Sequence, residues 1–464
     1  MTSPLPFEIW WKILEYLPSD ACVIRLRTVN RLFLEIARTL RYRNLSINKY
    51  DVQTEHLLRG ISSISLGHHI QSLCIRPWAI SSASHIDGPV GHILSAFDLV
   101  RSFFDSDYPG RKAKNLVQIQ MHEQIQLVSQ TTKDLENVRE YTVDWDVNES
   151  SCVQLFTAFL ILPNISPLGP TLTKLTVRVP TDRLVCLATL CLPALEELNI
   201  DLVTLSLPEE YIDECLHHVI VFINNHGQNL RSLSISSDDL SQNLNLSTFF
   251  RSLSISPFLR LHSFTLSIPY DGCHLPEKTN GADCLRSFLE QSRSLRHLKL
   301  SSYPRAPYPD LSLISTSPSK TPGGYWIQRA LEAPDLANAL TSLTSLELAI
   351  RPLLSDLTPS LAFICAVAHQ LESLVLTDEF LTPDEVRRVV DALASAPACS
   401  SLVHLTISLQ YLSTSILNLF ASRLGHLESL KLTFSAVKAS SHPDEKKREI
   451  SVKCESVGSI FFSP

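Results

Sequence analysis

A short pattern, apolar-x-x-apolar-x-apolar, recurs along most of the chain and restricts its fold more than any other feature. The clear copies are "LTKLTV" (from 172), "LEELNI" (195), "LRSLSI" (230), "LHSFTL" (261), "LRHLKL" (295), "LTSLEL" (343), "LESLVL" (371), "LVHLTI" (402) and "LESLKL" (427). Weaker copies precede them: "YRNLSI" (42), "IQSLCI" (70), "LVQIQM" (116) and "VREYTV" (138). Each ends in the period-two alternation of a half-buried strand, so its apolar positions point to a core and the residues between them point away. No single copy buries a strand and a helix by itself. Stacking the copies does, because each ladder of leucines packs on the next.

The mean spacing is about 32 residues, long enough for a helix in every unit and somewhat longer than the 20–29 of compact repeats. The clearest helix between copies is "TPDEVRRVVDALASA". There Thr382 is an N-cap, Pro383 suits the first helical position and Glu385 completes a capping box. Val386, Val389, Val390 and Leu393 form one stripe. On these copies the chain resembles leucine-rich repeat proteins of the ribonuclease-inhibitor-like class over roughly residues 42–434. The resemblance implies an α/β solenoid, a horseshoe of irregular repeats with strands inside and helices outside. Residues 301–326, "SSYPRAPYPDLSLISTSPSKTPGGYW", break the period and are expected to form an inserted loop. Residues 435–464, with "SSHPDEKKREI", are expected to be a charged C-terminal tail.

The N-terminus follows another rule. In "LPFEIWWKILEYLPSD" (5–20), Pro6 and Glu8 suit a helix start, Ile9, Trp10, Ile13, Leu14 and Leu17 make a wide apolar face, and Pro18 ends it. Ser19 or Asp20 caps a second helix, "DACVIRLR". A third, "VNRLFLEIARTL", carries Val29, Leu32, Phe33, Ile36, Ala37 and Leu40 on one stripe. Three helices in forty residues make a small core and call for a partner surface. The matching residues Leu5, Pro6, Glu8, Ile9, Ile13, Leu17, Pro18, Leu26, Val29, Asn30, Arg31, Phe33 and Ala37 resemble the F-box, the adaptor-docking module of SCF-type ubiquitin ligases. Asn30 and Phe33 stand where members often have Cys and Trp. The resemblance implies an F-box over 4–41 that docks a Skp-type adaptor, and through it a cullin. The docking residues it implies are Leu5, Pro6, Ile9, Trp10, Ile13, Leu17, Pro18, Ile24, Leu26 and Val29. A plain hydrophobic cap on the first repeat is the alternative.

Composition removes other classes. The formal charge of -7 comes without a basic cluster, so nucleic acid is not the expected partner. No leader pattern or run of eighteen apolar residues is seen, so no membrane partner and a cytoplasmic or nuclear location are expected. Cysteines lack metal-ligand spacing, Cys186 and Cys191 sitting in an apolar run, and no cofactor is expected. The pairs His68-His69 and His217-His218 are expected to point their rings apart, so no metal site is expected at either. No nucleophile triad, phosphate loop or carboxylate pair is recognisable, so an enzyme is not expected.

Ser and Thr are the commonest residues at the outward strand positions, with acids and bases in balance. Glu140 and Asp144, then Lys174 and Arg178, then Glu197 and Asp201 alternate in sign, as a laterally paired ladder would. Later strands are expected to be less paired. Ser345, Glu347, Ser373, Val375, Thr377, His404, Thr406 and Ser408 are therefore the expected target-binding positions. The functional expectation is a non-catalytic substrate receptor. The alternative is a leucine-rich scaffold whose N-terminal segment serves folding only.

Overall fold

A computed structural model describes residues 9–10, 12–13, 16, 24–29, 31–63, 66–77, 108–144, 153–204, 207–237, 241, 244–253, 258–269, 273–303, 326–332, 334–350, 358–377, 380–395, 401–437 and 452–462. The chain is α/β and divides into two compact units, Met1–Val179 with Cys186–Leu195, and Pro180–Val185 with Glu196–Pro464.

In the first unit, β1 (Asn44–Ile47), β2 (Ser72–Ile75), β3 (Glu140–Asp144) and β4 (Lys174–Pro180) pair in parallel. In the second, β5 (Glu197–Val203), β6 (Ser232–Ser237), β7 (Ser263–Pro269), β8 (His297–Tyr303), β9 (Ser345–Leu348), β10 (Ser373–Leu376), β11 (His404–Leu412) and β12 (Ser429–Val437) do the same. Helices alternate with the strands, as parallel pairing requires. This arrangement is compatible with a solenoid.

The repeats are locked in register by one recurring device. The carbonyl just before a strand accepts two consecutive N–H groups from the next repeat. Arg231 O takes His262 and Ser263, His262 O takes Arg296 and His297, and Arg296 O takes Thr344 and Ser345. The same step recurs at Thr344, Glu372 and Val403, and in the first unit at Arg43, Gln71 and Arg139. Every apolar position of the motif therefore lands on its counterpart. Leu195, Leu198 and Ile200, like Leu343, Leu346 and Leu348, are buried. Tyr141 takes a leucine's place because its hydroxyl donates to Phe159 O at 2.6 Å; its burial pushes the phenol well above its usual pKa.

The expected helix forms over Pro383–Ser395, with both halves of its capping box made. Thr382 N–H donates to Glu385 Oε2 at 2.7 Å and Glu385 N–H to Thr382 Oγ1 at 3.4 Å. Val386, Val389, Val390 and Leu393 are buried together.

Several expectations are corrected. "LVQIQM" is not a strand but part of the Tyr108–Thr132 helix. Met121, Val128 and Thr131 are buried, Val117 and Gln124 are half-buried, and Ile119 is exposed. Their spacing is helical, and six residues of the motif fit either period. The two ends of the expected loop over 301–326 belong to regular elements instead. Ser301–Tyr303 complete β8, and Trp326 opens a buried helix as one of the largest core side chains. Residues 304–325, with Ser317 and Thr321, lie outside the described residues. Within the expected tail over 435–464, β12 continues to Val437 and β13 (Val452–Phe462) pairs with it antiparallel. "SSHPDEKKREI" itself lies outside the described residues. Cys186 is half-buried, which raises its thiol to about 11.

His226 closes the Glu209–His226 helix. It is buried, its ring tilted against Phe222 at 4.5 Å, and its Nδ1–H donates to Phe222 O at 2.8 Å. Burial holds its pKa below the ordinary value of 6.5, with the Phe222 carbonyl opposing. The unfolded chain then binds this proton more readily, so stability present above about pH 6.5 is lost as pH falls. The urea midpoint should drop between pH 7.5 and 5.5, and His226→Gln should flatten that drop. An equal slope in both proteins would remove His226 from the account.

Candidate functional site

The N-terminal helices pack on a small core of Phe33 and Ile36, with Trp10, Leu26, Leu32 and Leu40 against it. Trp10 meets Phe33 edge-on at 5.4 Å. The Arg31–Tyr42 helix buries Phe33, Ile36 and Ala37, as its stripe implies. Val29 is a correction: it is 62% exposed, because it precedes the helix and closes the Leu26–Thr28 turn by donating its N–H to Leu26 O at 2.9 Å.

Of the expected adaptor residues, Leu5, Pro6, Leu17 and Pro18 lie outside the described residues. Trp10 and Leu26 join the core, and Ile24 is half-buried. Ile9 and Ile13 are 43% and 46% exposed. Ile9, Ile13 and Val29 are thus apolar groups that this unit's own core does not absorb. Tyr16, 90% exposed, was not among the candidates; its three-residue spacing from Ile13 was the available signal.

Register assembles the strand positions. Ser345, Ser373, His404 and Ser429 form one lateral row. The next reads Lys299, Glu347, Val375, Thr406 and Lys431. Thr377 lies just past β10 and is exposed, its N–H donating to Leu348 O at 3.1 Å. Ser408 O accepts the Leu381 N–H at 2.8 Å. The expectation of sparse pairing here is corrected at Glu347, whose Oε1 lies 2.7 Å from Lys299 Nζ. One strand over, in the same row, Val375 remains apolar and half-buried. In the earlier block, register sets Glu140 beside Lys174 and Asp144 beside Arg178. Asp144 also accepts from Arg76 at 2.6 Å, as a structural ladder would have it.

The histidine pairs behave differently from each other. His217 and His218 keep their rings 6.1 Å apart on a helix. His68 and His69 do not point apart: the tight Gly67–His69 turn brings their rings to 3.9 Å. Gly67 makes this possible, since a Cβ there would lie 2.2 Å from Asp134 O. Asn137 fixes the turn by donating to His68 O at 2.8 Å. Glu35 joins them from the Arg31–Tyr42 helix, its Oε2 3.5 Å from His69 Nε2 and its Oε1 3.0 Å from Arg38. Burial, aided by His68, lowers the His69 pKa, and Glu35 opposes this. Sequence spacing could not expose this cluster, because Glu35 is remote in the chain.

No helix among the described residues is long and apolar enough to cross a membrane. No protein-family model and no curated protein matches the chain.

Proposed function

We propose that the chain is a non-catalytic substrate receptor of an SCF-type ubiquitin ligase. Its N-terminal F-box docks a Skp-type adaptor and so a cullin, and its leucine-rich repeats hold a target protein. The observation that carries this reading is that Ile9, Ile13 and Val29 stay exposed while Trp10 and Leu26 of the same segment pack against Phe33 and Ile36. A cap that only sealed a repeat would turn such residues inward. Exposed aliphatic groups around an aromatic-backed helix suit a docking surface.

Target recognition falls to the outward strand positions, where the row Lys299, Glu347, Val375, Thr406 and Lys431 combines charges with an apolar group and a hydroxyl. Two lysines against one glutamate disfavour a strongly basic partner. The ligase would work by proximity, raising the effective concentration of target lysines near a charged enzyme without bond chemistry of its own.

Affinity purification of the full chain and of a Val375→Arg, Thr406→Arg variant tests both halves. Adaptor and cullin are expected with both proteins, and at least one further protein is expected with the unmodified chain alone. Recovery of neither adaptor nor cullin would reject the receptor in favour of a scaffold. A partner set unchanged by the two arginines would move recognition off this row.

A further inference from the structure

Glu35, His68 and His69 bring one carboxylate and two imidazoles together in the first unit. The Thr39 hydroxyl donates its one hydrogen to Glu35 O at 3.0 Å. With that hydrogen so placed, the ring donates in the contact with His69 Nδ1, at 2.9 Å. In this tautomer Nδ1 carries the hydrogen, and Nε2 turns toward the Glu35 carboxylate. Metal-binding imidazoles are oriented in this way, with the distal nitrogen anchored by an acceptor and the other left for the ion.

The gap itself supports the same conclusion. His69 Nε2 and Glu35 Oε2 are 3.5 Å apart, too far for a charge-assisted hydrogen bond, which closes to about 2.7–2.9 Å. A tetrahedral ion with bonds of about 2.0–2.1 Å separates its ligand atoms by about 3.3 Å, close to the observed gap. One ligand atom from each of Glu35, His68 and His69 lies within 4.8 Å of the others. His69 is buried, Glu35 is partly exposed and His68 is exposed, so an ion has both a fixed floor and a route in from solvent.

We propose that Glu35, His68 and His69 form a site for a divalent transition-metal cation, zinc by the chemistry of its donors, with a fourth position open to water or a partner group. This reverses the expectation of no metal at the histidine pair. Two imidazoles and one carboxylate are a zinc ligand set, and calcium or magnesium would ask for more oxygen. Arg38, on the other carboxylate oxygen, competes for the charge of Glu35 and tempers the affinity. A bound ion joins the Arg31–Tyr42 helix to the turn before β2, and so fastens the last N-terminal helix to the first strands.

The test titrates zinc chloride into the chelator-treated full chain by calorimetry, and repeats the titration with cobalt(II), whose visible absorption reports four-coordination. The expected result is a tightest site that weakens at least about tenfold in each of Glu35→Gln, His68→Ala and His69→Ala. Thr39→Val should weaken it by a similar factor, through the ring it orients. The paired variant His217→Ala, His218→Ala should bind as the unmodified chain does, which separates this site from other histidines. His68 is exposed and Glu35→Gln is isosteric, so these two decide the matter should His69→Ala not fold. No binding by the unmodified chain, or full affinity in Glu35→Gln or His68→Ala, overturns the proposal.

Discussion

On the proposed receptor reading, placing aspartate at both Ile13 and Val29 is expected to weaken binding to a Skp-type adaptor by at least about 100-fold, which corresponds to about 2.7 kcal/mol. Ile13 is about half exposed and Val29 more so, and neither belongs to the core, so exchanging them should shift stability by no more than about 0.5 kcal/mol each. In a docked complex the same positions would bury a carboxylate against apolar surface without a partner, and that is costly. Neither substitution alters Trp10 or Phe33, whose rings meet in this unit's core, so the loss reports docking rather than unfolding. Leu259→Asp, at another exposed aliphatic in the second unit, is the control and should bind normally. Titration of purified adaptor against the three proteins gives the answer. Equal affinities would mean that this face is not the docking surface.

The largest effect on stability is expected at Phe288. Its ring is fully buried and lies 5.0 Å from Phe264, 5.5 Å from Phe258 and 5.8 Å from Phe250. Phe249 extends the group edge-on to Phe250 at 5.4 Å. These rings come from β7, from the Ser247–Leu253 and Gly281–Gln291 helices and from the segment before β7. One truncation therefore loosens several repeats at once. Phe288→Ala should cost about 3–5 kcal/mol through lost burial and a cavity. Phe288→Leu, which keeps most of the volume, should cost less than about 1.5 kcal/mol. Urea denaturation followed by fluorescence and by far-ultraviolet circular dichroism measures both. A loss below about 1 kcal/mol for the alanine variant would mean that the repeats fold independently of this cluster.

The strands were legible because their signal is local and repeated. Leucine, x, then leucine or isoleucine marks a buried and an outward position within three residues, and each copy supports the next. The Thr382 to Glu385 capping box was equally legible, since both partners of each hydrogen bond lie within one turn. "LVQIQM" misled for the same reason that the others succeeded. A short apolar pattern fits two periods, and only the run from Val117 through Met121, Gln124 and Val128 to Thr131 separates them.

What the sequence determined by itself was therefore a class: α/β, built from stacked strand-and-helix units, with an N-terminal helical segment of different character. It could also name Ile9, Ile13 and Val29 as apolar, but not that they stay exposed while Trp10 turns in, because that depends on where Phe33 and Ile36 come to rest. Tertiary structure alone decided which outward residues are neighbours. Glu347 is held by Lys299 across a strand pair, and no pattern within either strand records the other. The same holds most strongly for Glu35, Thr39, His68 and His69. A tight turn that only Gly67 permits and a helix from a separate stretch of chain bring them together, so their chemistry is a property of the packing.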